Sequence, residues 1–339
     1  GESKMGGLRM WNEWVYRRGG LAMHCGAKVI PTAEGDRVAL IVGLSGTGKT
    51  TTTFTSQNGS LPVQDDFVAL TPGGEVHSTE DGCFAKTIGL DPKLEPTIYN
   101  ALAQPSAWLE NVAVDGAGRV DFFDDSYTAN GRGTFELAAI DHCDPRKLGK
   151  ADFLLILNRN SDIVPAVAKM ASPEQAVAYF MLGETKGTSA GGTAEAGKSL
   201  RVPGTNPFFL QHDWMQGNRL AELIASMEHD FSVYVLSTGR VGGDEDVDGS
   251  KNVRIPDSSA IVKGIAEGTI TWQTDPDFGY LVAAEVPGVD DAELLQPRRL
   301  YQRQGRMDEY DARVQALKAE RRGYLEGHTG LDERVTTAL

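Results

Sequence analysis

The sequence predicts an α/β fold built on mixed sheets, and three observations carry that expectation. The run Arg37–Val42 (RVALIV) is apolar and rich in β-branched residues, and it leads straight into a glycine-rich stretch after which a helix can start near Lys49. Two further apolar runs, Leu61–Leu70 and Phe153–Leu157 (FLLIL), have the composition of core strands. Between them, glycine and proline turn signals at Thr71–Gly74, Asp115–Gly118 and Gly131–Gly133 cut the chain into short pieces, which predicts antiparallel strands there rather than βα repeats.

Later elements follow from the same patterns. Gly183–Gly204 is rich in Gly, Thr, Ser and Ala with little to bury, so a mobile surface loop of the kind that acts as a lid is expected. An amphipathic helix is expected around Arg219–Glu228, then an apolar strand Phe231–Leu236 and a Gly/Asp-rich loop Gly239–Gly249. Met307–Leu325 is charged with apolar residues at helical spacing, which predicts a surface helix.

Composition narrows the function classes. In 339 residues, 40% hydrophobic content supplies a buried core, and 33 basic against 47 acidic residues give a net charge of -14 that disfavours nucleic acid and anionic membranes as partners. Cys25, Cys83 and Cys143 are too few and too scattered for a disulfide framework or a Cys-x-x-Cys metal knuckle, as expected of a cytoplasmic protein. No run approaches the roughly 18 apolar residues of a membrane span, and the first residues lack a signal-peptide pattern. Oligomeric state is left open.

The motif with chemistry is Gly43-Leu44-Ser45-Gly46-Thr47-Gly48-Lys49-Thr50. A Gly-x-x-x-x-Gly-Lys-Thr loop after a strand turns successive N–H groups toward one point as an anion nest, and its lysine reaches the β- and γ-phosphates of a nucleotide. Lys49 takes that role here, Thr50 offers a hydroxyl to a metal ion, and Gly46 and Gly48 allow close backbone approach. Asp65-Asp66, at the end of the second apolar run, has the chemistry of a carboxylate that holds Mg²⁺ or Mn²⁺ beside the phosphates, and one of the two is expected to do so.

The loop GLSGTGKTT, with MHC at Met23–Cys25, DGCFAKT at Asp81–Thr87 and LENV at Leu109–Val112, resembles ATP-dependent phosphoenolpyruvate carboxykinase. GESK at the start, EPTIYNAL from Glu95, TANGR from Thr128, the STG of Ser237–Gly239 and PGVDDAELLQP from Pro287 follow in the family's order. The resemblance implies a variant P-loop nucleotide-binding fold and a metal-assisted phosphoryl transfer from ATP to the enolate formed by decarboxylating oxaloacetate, giving phosphoenolpyruvate. It implies His24 and Asp66 as metal ligands with Thr50, and Lys86 and Arg132 as cations on the transferred phosphate. On the nucleotide it implies Thr51 beside the loop and Glu95. It also corresponds to only the C-terminal two thirds or so of a family member, so residues 1–30 are expected to end an N-terminal lobe and 31–339 to form the nucleotide-binding and catalytic domain.

Three departures bear on substrate choice. The family's metal-ligating lysine falls on Met5 in an ungapped alignment from GES to MHC, with Lys4 just before it, and a thioether is a poor ligand for a hard cation. Where the family stacks an arginine on adenine, the chain reads KNVRIPDSSA: Asn252 takes that position, Arg254 is two residues on, and Ser258 keeps a hydroxyl. The glycine-rich lid reads GETKGTSAGGTAEAGK. Two alternatives therefore stand beside the carboxykinase: a P-loop kinase acting on another small carboxylate or hydroxyl acceptor, and a non-catalytic nucleotide sensor.

Overall fold

The computed structural model describes residues 2–55, 57–126, 128, 130–186 and 198–339. Helix α1 (Glu2–Tyr16) precedes two long antiparallel strands, β1 (Leu21–Thr32) and β2 (Gly35–Val42), paired from Cys25 opposite Val42 to Thr32 opposite Gly35. Residue 30, where the sequence suggests a division, lies inside β1. Leu8 and Val15 of α1 pack with Ala22, Phe67 and Ala69.

β2 feeds the glycine loop, and α2 (Lys49–Phe54) follows it, in the order the sequence predicts. The run Leu61–Leu70 is not one strand. It splits into β3 (Leu61–Gln64) and β4 (Phe67–Leu70), because β1 changes partner along its length: Ala27–Val29 pair with β3 and Leu21–His24 with β4. Asp65-Asp66 occupies the break, tied to β1 by Cys25 N–H donating to the Asp66 carbonyl at 2.8 Å.

The middle of the chain is antiparallel, as predicted. After the edge strand β5 (Val76–Ser78) come β6 (Gly82–Lys86), α3 (Pro96–Leu102), β7 (Trp108–Glu110), a small hairpin of β8 (Ala113–Val114) and β9 (Val120–Asp121), and β10 (Arg132–Glu136). The order β6-β10-β7 makes a separate three-stranded sheet. The turn expected at Gly131–Gly133 is instead the entry into β10, where Gly133 pairs with both Ala85 and Leu109. A Cβ there would stand 2.5 Å from the Leu102 side chain, so glycine lets α3 pack on the strand.

The remaining strands are β11 (Phe153–Asn158), β12 (Val167–Lys169), β13 (Glu184–Lys186), β14 (Ser199–Arg201), β15 (Ser232–Ser237), β16 (Arg240–Val241), β17 (Lys251–Asn252), β18 (Thr271–Thr274) and β19 (Leu281–Glu285). The main sheet runs β18-β19-β12-β15-β11-β2-β1-β4-β5, with β3 also on β1. Only β11 runs parallel to its neighbours β2 and β15, so the sheet is mixed. Alternation divides β2 cleanly: Val38, Leu40 and Val42 join one core, Ala39 and Ile41 another.

The first core is closed by α4 (Pro173–Leu182), α5 (Trp214–Ala225) and, beyond α7 (Ala292–Leu295) and α8 (Pro297–Arg303), α9 (Met307–Glu326). The second is closed by α6 (Ile255–Glu267). Each fully buried Leu or Ile at these positions contributes about 1.5–3 kcal/mol.

Two late expectations change. The Gly183–Gly204 segment is ordered at both ends, where β13 and β14 pair from Glu184 opposite Arg201 to Lys186 opposite Ser199; residues 187–197 lie outside the described residues. α9 is not merely a surface helix, for Tyr310, Val314, Arg321 and Leu325 are buried. Among the described residues no helix is long and apolar enough to cross a membrane.

Candidate functional site

The phosphate loop sits where three strands end together. β2, β11 and β15 all point their C-terminal ends at it, the crevice in which open α/β sheets bind ligands. Arg159, just past β11, donates to the Gly46 carbonyl at 3.1 Å, and Thr238, just past β15, donates to the Thr47 carbonyl at 2.7 Å. Thr47 closes the loop on the Leu44 carbonyl at 2.8 Å. Gly46 and Gly48 have φ of 85° and 90°, a region that disfavours any side chain. A Cβ on Gly43 would meet Thr47 Oγ1 at 2.4 Å, so glycine is required at the loop's start as well.

Lys49 and Thr50 both reach the Asp65-Asp66 break. Lys49 Nζ donates to the Asp65 carbonyl at 2.7 Å and lies 3.8 Å from Asp66 Oδ1, while Thr50 donates to Asp65 Oδ2 at 2.9 Å. The other Asp65 oxygen, Oδ1, is buried without a partner among the described residues. Burial, with Asp66 adding repulsion, pushes the Asp65 carboxyl up to about 6 against the pull of Lys49. Thr51 donates to Glu95 Oε1 at 2.6 Å, which ties the loop helix to the start of α3.

Asp66 is the hub of the opposite wall. Its Oδ2 is 2.5 Å from Lys4 Nζ and its Oδ1 is 3.2 Å from His24 Nε2. Burial opposes its ionisation, but the His24 hydrogen bond and the charges of Lys49 and Lys4 outweigh it and hold the carboxylate well below the usual range. His24 Nδ1 is 3.1 Å from the Thr205 carbonyl, which can only accept, so Nδ1 carries the proton. Burial, with Lys49 nearby, lowers the pKa of the ring against the pull of Asp66. Nε2 lies 3.2 Å from Asp66 Oδ1, within the hydrogen bond that helps hold the carboxylate ionised, and both atoms could instead serve as ligands of one divalent cation. Among the described residues no three His, Cys, Asp or Glu side chains group as metal ligands. Against burial, Asp66 and Glu80 raise the Lys4 pKa and hold its ammonium, and a donor set of imidazole, carboxylate, hydroxyl and, once it has lost its proton, the Lys4 amine can hold a hard divalent ion.

A third wall supplies positive charge. Lys86 on β6 and Arg132 on β10 are direct cross-strand partners, so their side chains share a face. Burial and then Arg132 lower the Lys86 pKa, and burial lowers that of Arg132 despite Glu110 and Asp66. Neither makes a side-chain hydrogen bond or ion pair among the described residues. Two adjacent cations outside any ion pair among the described residues, with Glu110 opposite Arg132 on β7, can receive phosphoryl oxygens.

Behind the loop lies a cavity of about 430 Å³, lined by Gly48, Thr51, Arg159, Asn252, Arg254 and Ser258 among others. Arg254 stands at its rim with a mostly exposed side chain, held by two hydrogen bonds to Asp257 at 3.1 Å each. Asn252 lies on β17 opposite Arg240.

The structure thus joins Lys49 and Thr50 to Asp65 and Asp66, and Asp66 to His24, with Arg132, the cross-strand partner of Lys86, near enough to feel the Asp66 charge, and sets Asn252, Arg254 and Ser258 at the neighbouring cavity. Sequence reasoning missed Arg159 and Thr205, for which no local signal exists, and Lys28, a lysine inside a strand pattern, and it quoted Thr238 only within the STG string. It noted Lys4 only as the neighbour of Met5.

A family model for phosphoenolpyruvate carboxykinase matches residues 1–292. The phosphoenolpyruvate carboxykinase (ATP) of Aeropyrum pernix is 35% identical over 96% of this chain and 65% of its own length. Those of Chelativorans sp. and Campylobacter jejuni are 32% and 37% identical, over 98% and 88% of this chain and 61% and 56% of their own lengths. The chain therefore spans less than two thirds of these relatives. On the match across most of its length, the chain belongs to the ATP-type phosphoenolpyruvate carboxykinase family.

Proposed function

We propose that this chain is a cytoplasmic, metal-dependent carboxykinase that converts oxaloacetate and ATP to phosphoenolpyruvate, ADP and CO2. The observation that carries the reading is the grouping of Lys49 with His24 Nε2 and Asp66 Oδ1, and the cross-strand cations Lys86 and Arg132, of which Arg132 is near enough to feel the Asp66 charge. A nucleotide sensor needs the first of these features but not the other two.

Mg²⁺ or Mn²⁺ would be held by His24, Asp66, Thr50 and Lys4, and would supply charge neutralisation at the phosphates and the enolate oxygen. The fit rests on the two Asp66 oxygens, one 3.2 Å from His24 Nε2 and the other 2.5 Å from Lys4 Nζ. The loop amides and Lys49 bind and orient the β- and γ-phosphates. Loss of CO2 leaves the C–C electron pair on pyruvate as an enolate, whose oxygen bonds to the γ-phosphorus as the bond to ADP breaks. Lys86 and Arg132 stabilise the charge that spreads over the equatorial oxygens in that step. The cavity lined by Asn252, Arg254 and Ser258 takes the nucleoside.

A coupled assay for phosphoenolpyruvate with Mn²⁺, oxaloacetate and ATP tests the proposal, with Arg132→Met expected to lower turnover by about 100-fold or more. Tight ATP binding without any oxaloacetate-dependent turnover would reject the carboxykinase and leave a kinase for another small acceptor.

A further inference from the structure

Lys28 is a buried lysine with no carboxylate partner. It sits in the middle of β1, 3% exposed, opposite Ala39 and Pro62, and on the same face as Ile30, which packs in the core closed by α6. Its Nζ donates to the Thr52 carbonyl at 2.8 Å and the Thr55 carbonyl at 2.9 Å, the unsatisfied carbonyls at the end of α2. Ser60 also donates to Thr55 O, at 3.1 Å.

Helix capping takes two of the three N–H donors of the protonated amine and leaves one. Lys28 also lines the cavity behind the phosphate loop, together with Ile30, Val253, Ile255, Pro256 and Leu94. Apolar walls of that kind suit a flat heteroaromatic ring, and a single fixed amine at its edge suits a ring acceptor. Burial without a compensating anion, which pushes the Lys28 amine down to about 7, makes a further hydrogen bond there worth more than one in water.

We infer that Lys28 is a specificity-determining residue that donates its remaining hydrogen bond to a ring nitrogen of the bound purine. The inference rests on the reading of this cavity as the nucleoside site. Adenine offers N1, N3 and N7 as acceptors, and Lys28 engages one of them, so that one backbone-anchored side chain ties base recognition to the helix carrying Lys49.

Calorimetry on the intact chain tests this with Mg-ATP, its 1-deaza, 3-deaza and 7-deaza analogues, and inorganic tripolyphosphate, on wild type and Lys28→Met. The expected result is a loss of about tenfold in ATP affinity for the variant, with tripolyphosphate within about twofold. One deaza analogue should bind wild type about as weakly as ATP binds the variant, and be indifferent to the substitution. Parallel losses for ATP and tripolyphosphate would reduce Lys28 to a helix cap and overturn the inference. Equal affinity of wild type for ATP and all three analogues would overturn it even if the variant failed to fold. Failure of wild type to bind ATP or tripolyphosphate at all would reject the nucleotide-site reading itself, and this inference with it.

Discussion

Lys4 Nζ and Asp66 Oδ2 lie 2.5 Å apart, joining the first turn of α1 to the break between β3 and β4. Lys4 also reaches Glu80, whose Oε1 is 3.1 Å away. Consecutive residues on a helix point about 100° apart, so Lys4 and Met5 do not address Asp66 together. An amine one residue before position 5 thus reaches the Asp66 carboxylate.

Lys4→Met should therefore loosen Mn²⁺ by roughly tenfold or more, a size typical of a lost ligand or its direct support, and Met5→Lys should leave Mn²⁺ affinity nearly unchanged. Electron paramagnetic resonance titration of free Mn²⁺ reads both without any turnover. Tightening by Met5→Lys, with no loss in Lys4→Met, would return the lysine site to position 5.

Lys49→Ala should weaken Mg-ATP binding roughly 10- to 100-fold, the size expected for hydrogen bonds to a charged group. The melting temperature should change little, because among the described residues Lys49 bonds only to the Asp65 carbonyl and stands 3.8 Å from Asp66. Calorimetry beside a thermal melt separates the two effects. Unchanged affinity would remove the phosphate-loop assignment.

What was legible in the sequence was whatever is encoded locally. The strand, glycine loop and helix from Gly35 to Phe54 follow from a pattern of consecutive residues, and β11 and β15 from apolar runs. The break at Asp65-Asp66 was not legible, because it arises from β1 exchanging β4 for β3, a pairing between segments far apart in the chain. Gly131–Gly133 misread for a related reason: Gly133 is small to admit Leu102, not to turn the chain. Buried charge was the other gap. Arg321 in a charged helix looks solvated until β13 brings Glu184 against it, and Lys28 looks like an edge residue until α2 ends above it.

That Arg321–Glu184 pair leads to a stability prediction. Arg321 is buried, bonded to Glu184 and, at 2.9 Å, to the Tyr179 hydroxyl, while Arg201 reaches Glu184 at 3.0 Å. Burial opposes ionisation of Glu184, but Arg321 and Arg201 outweigh it and lower its pKa. A depressed carboxylate contributes stability that is present above its unfolded pKa and lost as pH falls through the folded value, so the contribution should fade below about pH 4.5. Arg321→Leu should cost about 3–5 kcal/mol at neutral pH by stranding the carboxylate, and Glu184→Leu with Arg321→Leu should recover part of that. Urea unfolding of the three proteins decides. A single variant no less stable than wild type would mean that water already reaches the pair.

The last prediction uses Lys28 in the absence of nucleotide. Burial is the sole cause that lowers its amine, from an ordinary 10.5 to about 7, with no carboxylate contributing. Between these values the unfolded chain holds a proton that the folded chain releases, so folding becomes more favourable as pH rises. The stability is fully present above about pH 10.5 and lost as pH falls through about 7. Met has no proton to exchange and nearly the same length, so Lys28→Met should remove this slope while leaving the rest of the pH profile in place. Unfolding free energies of wild type relative to the variant should therefore rise from pH 7 toward pH 10, by at most about 1.4 kcal/mol per pH unit. Parallel profiles would mean that the amine stays fully charged in the folded chain up to its ordinary range, and that burial does not ease its loss of a proton.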